Sequence, residues 1–400
     1  MEEQLDRYLV ISSDGHAGLP PECYRDYLDP QYRAVFDERL DAVIAERREA
    51  EKFLLISEFN NAWRATAGEG LKGAWDPDIR NGVLDRDGVV AEVLFPDGIT
   101  ERNAPPFGAD LGMRPNGADP ELQWAGARAH NRWLAGFCAH SPLRRIGIAL
   151  VPAFWDIDEN LKEIRWAKEN GLKGVMLPVL VEGYDHYNHP KYYPMWELIQ
   201  DLGLTVNFHS GPSPGYDRTT PGWVGVYVCE FQFWMTRPLF MLVFGGVFDR
   251  FPRLKVVFTE AGGDFWFPWM MQLMDFRGAV KKGSAKMGDH TANLKLKPSE
   301  YFRRNVWVGS SAQMEDARID EYYKMGIDRV MWGTDYPHPE GTWPNTLHQM
   351  VGSLAGLPDP DIAAVFGGNA IDLYQLDPAP LNAIAAKIGP KKSLFHQKAA

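Results

Sequence analysis

Eight times along this chain a short, near-continuously apolar run is followed by a stretch of helical period, and few folds accept such a repeat. The runs are Tyr8–Asp14, Val89–Phe95, Arg145–Val151, Lys173–Pro178, Leu204–His209, Lys255–Glu260, Val306–Ser310 and Val330–Asp335. Near-continuous apolarity is the pattern of parallel strands covered on both faces. Between them lie amphipathic segments such as Asp158–Asn170 and Ala312–Met325, followed by Gly171 and Gly326, where a helix C-cap is expected. The alternation predicts an α/β chain folded as a (β/α)8 TIM barrel. An open doubly wound sheet is the alternative, but no G-x-G-x-x-G follows the first strand.

Two departures from a minimal barrel are expected. A long insertion after strand 1, about 17–77, contains the charge-rich, helix-periodic Tyr32–Phe53, which reads as a solvated face. The Lys281–Lys297 stretch reads as a loop after the sixth barrel helix. Both follow a strand's C-terminal end, so both are placed to cover the barrel mouth. With a C-terminal helical tail, and neither a linker nor a repeat beyond the βα unit, residues 1–400 read as a single domain.

With 45% apolar and 24% charged residues the composition is that of a globular protein, not a disordered one. The 42 Lys and Arg against 53 Asp and Glu give a net charge of −11, which excludes nucleic acid and acidic membranes as natural partners. Three scattered cysteines, Cys23, Cys138 and Cys229, fit a reducing compartment. The opening MEEQLDRYLV does not read as a secretory signal, and no apolar run reaches a membrane span's length. A cytoplasmic location is expected.

In such a barrel, chemistry sits where strands end at the C-terminal face. The first strand ends in Asp14-Gly15-His16, the fifth in His209, the sixth in Glu260 and the eighth in Asp335. Asp14 and His16, two apart on a strand, face the same side, and Gly15 leaves room between them. Five nitrogen and oxygen donors at one mouth are the inventory of a divalent-metal site. Each alone has a plainer reading: Asp335 as a turn former before Pro337, Glu260 as a partner of Lys255 or Arg253. Together they favour the metal.

These residues sit in motifs that resemble the metal-dependent amidohydrolase superfamily, in the amidohydrolase-related branch containing aminocarboxymuconate semialdehyde decarboxylase. The resemblance rests on ISSDGHAGLP at the first strand, FPRLKVVFTEAGGDFWFPW around the sixth, VMWGTDYPHPEG at the eighth, and VFGGNAIDLYQL near the C-terminus. Carried over position by position, it assigns the metal to Asp14, His16, His209 and Asp335. Asp14 replaces the first histidine of the family's His-x-His pair, and Glu260 stands where many relatives have a histidine. No lysine ends the fourth strand, so the resemblance implies one ion, or two if Glu260 bridges. Zn²⁺ is the default, with Mn²⁺ or Fe²⁺ favoured by the added carboxylates.

The chemistry expected of such a site is hydrolysis of an amide, ester, lactone or thioester by metal-activated water. Decarboxylation of an aromatic or enoic acid is the alternative, and a non-catalytic binding scaffold the third reading. Asp335 is expected to move the proton. Glu260 serves as ligand or second acid/base, and His338 orients substrate or donates a proton. The 14 Trp and 21 Phe residues, among them Trp63, Trp75, Trp223, Phe231, Phe233, Trp234, Phe265 and Trp266, suit either an apolar or aromatic small-molecule substrate or a homo-oligomer interface. Trp234, Arg237 and Arg218 are candidates for binding substrate. Gly211–Gly215 matches G-x-S-x-G, but Pro214 has no N–H for an oxyanion, so the motif is rejected as a nucleophile elbow. His186 and His189 read as turn residues.

Overall fold

The computed structural model describes residues 6–54, 56–100, 102–113, 119–260, 266–279, 286–311 and 319–396. Eight parallel strands follow one another in sequence order: β1 (Ile11–Ser12), β2 (Ala91–Leu94), β3 (Arg145–Leu150), β4 (Gly174–Met176), β5 (Thr205–His209), β6 (Lys255–Thr259), β7 (Val306–Ser311) and β8 (Val330–Gly333). The last strand returns to the first: Ser13 N–H donates to the Trp332 carbonyl (2.7 Å) and Asp335 N–H to the Asp14 carbonyl (3.0 Å). The sheet is thus a (β/α)8 barrel, and every strand lies within the run expected for it except β7, which runs one residue further, to Ser311.

Alternate strand positions fall into two apolar groups. Ile11, Val93, Ile148 and Met331 belong to one, while Val206, Phe208, Val256 and Val308 pack with the surrounding helices in the other. Strand β5 departs from continuous apolarity. Its Thr205, Asn207 and His209 alternate with Val206 and Phe208, forming a buried polar column that leads up to His209. Asn207 donates to Thr205 Oγ1 at 2.9 Å. The neighbouring strand gives way there, since a Cβ on Gly174 would lie 2.2 Å from that oxygen.

The insertion after β1 is built from short 3₁₀ turns and two helices, α1 (Arg33–Leu54) and α2 (Ser57–Ala67), as the periodicity predicts. It hands the chain to α3 (Pro77–Asp87), whose start is fixed by Asp76 accepting from the Asp78 and Ile79 amides. The later helices include α4 (Pro120–His140), α5 (Ile157–Glu169), α6 (Tyr193–Leu202) and α7 (Trp223–Phe244). Helices at Thr346–Leu354, Asn369–Tyr374 and Pro378–Ile388 form the expected tail. Of the helix expected at Ala312–Met325, Ile319–Met325 is helical and residues 312–318 lie outside the described residues. Residues 281–285 of the expected loop, and Phe265, lie outside them too.

Candidate metal centre

The strand ends converge. Asp14 Oδ1 lies 3.4 Å from His16 Nε2 and 3.2 Å from His209 Nε2, and His16 Nε2 is 3.1 Å from Asp335 Oδ1. All four side chains are buried. Three groups of donor atoms each lie within 4.8 Å of one another: Asp14, His16 and His209; His16, Asp335 and His338; and Glu260, Asp335 and Glu340. His16 joins the first two groups, and Asp335 joins the last two.

Main-chain carbonyls fix the imidazole tautomers. His16 Nδ1–H donates to the Pro96 carbonyl at 2.7 Å, and His209 Nδ1 lies 3.2 Å from the Ser210 carbonyl. His16 then presents the lone pair of Nε2 to the cluster, the form a metal takes up, while His209 Nε2 is shared with Asp14 Oδ1. His16 Nε2 and both carboxylate oxygens of Asp335 are buried without a hydrogen-bond partner, although His16 and Asp335 are near neighbours. Buried polar atoms are seldom left so. Two imidazole nitrogens and two carboxylates gathered at one point, with His16 Nε2 and the Asp335 oxygens unsatisfied, fit one divalent cation of the Mn²⁺, Fe²⁺ or Zn²⁺ type.

Glu260 (φ 58°) and Asp335 (φ 56°) are non-glycine residues in the left-handed region, each just past the end of its strand. Such conformations cost on the order of 1–3 kcal/mol and persist only where the surroundings impose them. Here the Glu260 amide is held by the Gly309 carbonyl and the Asp335 amide by the Asp14 carbonyl, both at 3.0 Å. The turn after Asp335 closes on Gly341, where a Cβ would meet the Thr334 oxygen at 2.6 Å.

Charge is strongly coupled across the cluster. Burial pushes the Asp14 carboxyl up, but His209 and His16 beside it prevail and hold it far below the usual range. Asp335 is treated the same way: burial raises it, and His338 and His16 bring it below the ordinary carboxylate value. Burial works against charge on His16 and His338, yet the carboxylates raise both. Glu260 goes the other way. Burial, then the charges of Asp335 and Asp14, push it well above the ordinary carboxylate value. Its side chain, 28% exposed, reaches the mouth and accepts from Ser210 Oγ.

Other sequence candidates land elsewhere. Glu260 does not pair with Lys255 or Arg253: Lys255 donates to the Leu373 carbonyl and Arg253 bonds Asp201. Arg237 donates to Glu182 Oε1 at 2.7 Å, Trp234 packs beside Phe233, and Arg218 covers the Trp223 ring. His186 and His189 are exposed, and His189 Nδ1 accepts from the Lys191 amide, a turn role. Trp63 belongs to an apolar cluster with Tyr336 and Trp343 beneath the insertion.

Sequence reasoning missed the support beneath the cluster. Arg80, on α3, donates from Nε and Nη2 to both oxygens of Glu92 on β2 (2.5 and 2.8 Å), and both side chains are completely buried. Its Nη1 donates to the His16 carbonyl at 2.8 Å, and its guanidinium lies 4.8 Å from the centre of the Tyr336 ring. Gly15 leaves room for this pair, since a Cβ would stand a tight 3.1 Å from Glu92 Oε2. A glutamate within the apolar VVAEVLF was the available signal, since a charge in a buried strand demands a partner.

Donor side chains gathered from four strand ends at the mouth of a parallel barrel define an enzyme of the metal-site (β/α)8 class. The chain belongs to the amidohydrolase family, whose model matches residues 96–376. It is 28% identical over 306 residues to 2-amino-3-carboxymuconate-6-semialdehyde decarboxylase of Dictyostelium discoideum, covering 76% of this chain and 78% of that protein. It is 27% identical over 270 residues to gamma-resorcylate decarboxylase of a Polaromonas species, covering 63% and 76%. Among solved structures, 5-carboxyvanillate decarboxylase from Sphingomonas paucimobilis superposes with a TM-score of 0.64 at 22% identity, covering 92% of this chain and 99% of that one. A dihydroxybenzoic acid decarboxylase from Polaromonas, solved with manganese and 2-nitroresorcinol, gives 0.61 at 20%, covering 93% and 98%. Membership of an enzyme family removes the ground for the scaffold reading.

Proposed function

We propose that this enzyme is a metal-dependent, non-oxidative decarboxylase of a small aromatic acid, a hydroxybenzoate or a related enoic acid. The observation that carries the reading is the mouth cluster, in which an unsatisfied Asp335 carboxylate lies 3.1 Å from both His16 and His338. Of the two activities expected from sequence, decarboxylation is the one named for the relatives above, and it displaces hydrolysis as the leading reading.

Asp14, His16, His209 and Asp335 would hold the cation, whose chemistry when bound is to fix and polarise the substrate's oxygen atoms. Mn²⁺ replaces Zn²⁺ as the favoured ion, supported by the manganese of the dihydroxybenzoic acid decarboxylase and by the carboxylate-rich donor set. The reaction breaks the bond between ring carbon and carboxylate, releases CO₂, and needs one proton at that carbon. His338 and Asp335 supply it. With Nε2–H bonded to the Asp97 carbonyl at 2.8 Å and Nδ1 toward Asp335, a protonated His338 has both donors engaged. The shared proton passes through Asp335 to carbon and is replaced from solvent. Glu260, whose carboxyl burial and the neighbouring carboxylates push upward, faces the incoming anion at the rim. Phe95, its ring 4.6 Å from His209, offers an aromatic wall. Arg237, committed to Glu182, is left out of substrate binding, and Trp234 remains a candidate wall residue.

The chain is taken as one barrel domain of a homo-oligomer in a reducing cytoplasm. Val224 and Val228, one turn apart on α7, are each about half exposed (52 and 50%), an apolar surface suited to a second copy. All three cysteines are free, and no described helix is long and apolar enough to cross a membrane.

The test is incubation of Mn²⁺-loaded enzyme with 2,6-dihydroxybenzoate and 5-carboxyvanillate in D₂O and in H₂¹⁸O. The expected result is equimolar CO₂ with one deuterium on the ring. Label from ¹⁸O water in a product of an ester or amide panel, without CO₂ from the acids, would return the assignment to hydrolysis.

A further inference from the structure

Against a net charge of −11, one region is densely basic. Arg47 and Arg48 from α1, Arg64 from α2, Lys72 from the 3₁₀ turn and Arg102 from the loop after β2 line a single cavity of about 500 Å³. No run of basic residues announces it, because the five come from four separate segments. Glu22 is the one carboxylate on its wall among the described residues, while Lys72 is paired with Glu69, so Arg47 and Arg48 carry most of the uncompensated charge. Leu71, Trp75 and Ile99 give the cavity an apolar side.

The cations are organised. Glu51, almost wholly buried, accepts from Arg64 and, at 2.6 Å, from Arg102, so one carboxylate positions two guanidinium groups and leaves net positive charge. Arg47 Nη2 donates to the Pro105 carbonyl at 2.8 Å, while its Nη1 is buried with no hydrogen-bond partner. An unsatisfied buried guanidinium donor costs free energy that an anion would recover.

The cavity is walled off from the barrel mouth. Asn103 donates to the Gly18 carbonyl and Gly18 N–H to the Ala74 carbonyl, each at 3.0 Å. The backbones there touch: a Cβ on Gly18 would lie 2.2 Å from the Asn103 oxygen, and one on Gly98 would lie 2.5 Å from Gly18 N. None of the mouth donors lines the cavity.

We propose that the insertion holds a second ligand site, separate from the catalytic mouth, for a small organic anion: a phosphate monoester or carboxylate on an apolar body. Isothermal titration of the full-length, Mn²⁺-loaded enzyme with phenyl phosphate, with phenylacetate and with neutral phenol tests it. The two anions distinguish the source of negative charge. Saturable binding of at least one anion, weakened by added salt and absent for phenol, is expected. Arg48→Glu, an exposed position, and Arg47→Gln should each raise Kd about tenfold, as loss of a charge-assisted contact implies, while Asp335→Asn leaves Kd unchanged. No saturable binding of either anion, a Kd indifferent to both arginine variants, or loss of binding in Asp335→Asn would overturn the proposal, the last by placing the anion in the barrel mouth.

Discussion

His16 and His338 stack face to face, ring centroids 3.7 Å apart and planes 20° from parallel. Each is turned by a different carbonyl of the same loop, His16 by Pro96 and His338 by Asp97, and each brings its other nitrogen to 3.1 Å from Asp335 Oδ1. One carboxylate oxygen therefore faces the first strand's proposed metal ligand and the eighth strand's proton carrier. That shared oxygen makes proton delivery and cation binding parts of one structure.

Replacing His338 by Gln removes the proton carrier while leaving the four proposed ligands in place. Turnover should fall by roughly 10² or more, the usual share of a positioned acid, with bound metal unchanged. Asp335→Asn should lower turnover at least as far and also weaken the metal. Steady-state rates and metal analysis on both variants separate the two roles, and near-normal turnover in either would remove that residue from the chemistry.

The buried Arg80–Glu92 pair should matter beyond its own bonds. Glu92→Gln leaves a buried guanidinium uncompensated, a loss of roughly 3–5 kcal/mol in stability. Because Arg80 also holds the His16 carbonyl, Mn²⁺ affinity should drop with it. Arg80→Met with Glu92→Met should recover most of the stability but not the affinity. Chemical denaturation and metal titration read the two effects apart, and full recovery of affinity in the double variant would count against a positioning role.

His130, wholly buried on α4, is pushed down by burial to about 3. The unfolded chain takes up a proton near pH 6.5 while the folded chain does not, so stability is full above that value. It is then lost as pH falls toward 3, at about 1.4 kcal/mol per unit. His130→Leu should therefore gain on the wild type by about 1 kcal/mol between pH 6.5 and 5.5. Urea unfolding at several pH values checks this; a pH-independent difference would show that His130 titrates alike in the folded and unfolded chain.

The exposed valines of α7 make a physical claim on assembly. Sedimentation should find a species larger than the 45.2 kDa chain, and Val228→Lys should shift it toward monomer. A wild type that sediments as a monomer would remove the interface.

Much of this architecture was legible because it is written locally. Strand ends carry their chemistry in fixed motifs, so Asp14, His16, His209, Glu260 and Asp335 could be placed at one mouth from sequence. What sequence reading could not reach depends on distant partners. Arg80 looks like any amphipathic-helix arginine until Glu92 is seen behind it. The cations of the insertion come together only when α1, α2 and the loop after β2 fold over one space. Glu260 stayed open between ligand and acid for the same reason: its charge state is set by Asp335 and Asp14 across the barrel. The polar column of β5 was readable in principle, since LTVNFH alternates, but the apolar residues dominate the run.

The central claim is that the four strand-end donors share one cation. Metal analysis after dialysis against Mn²⁺, on wild type and on His16→Ala, tests it most directly. The account predicts roughly one equivalent in the wild type and strong loss in the variant. Less than about half an equivalent in the wild type, or equal metal in both proteins, would contradict it.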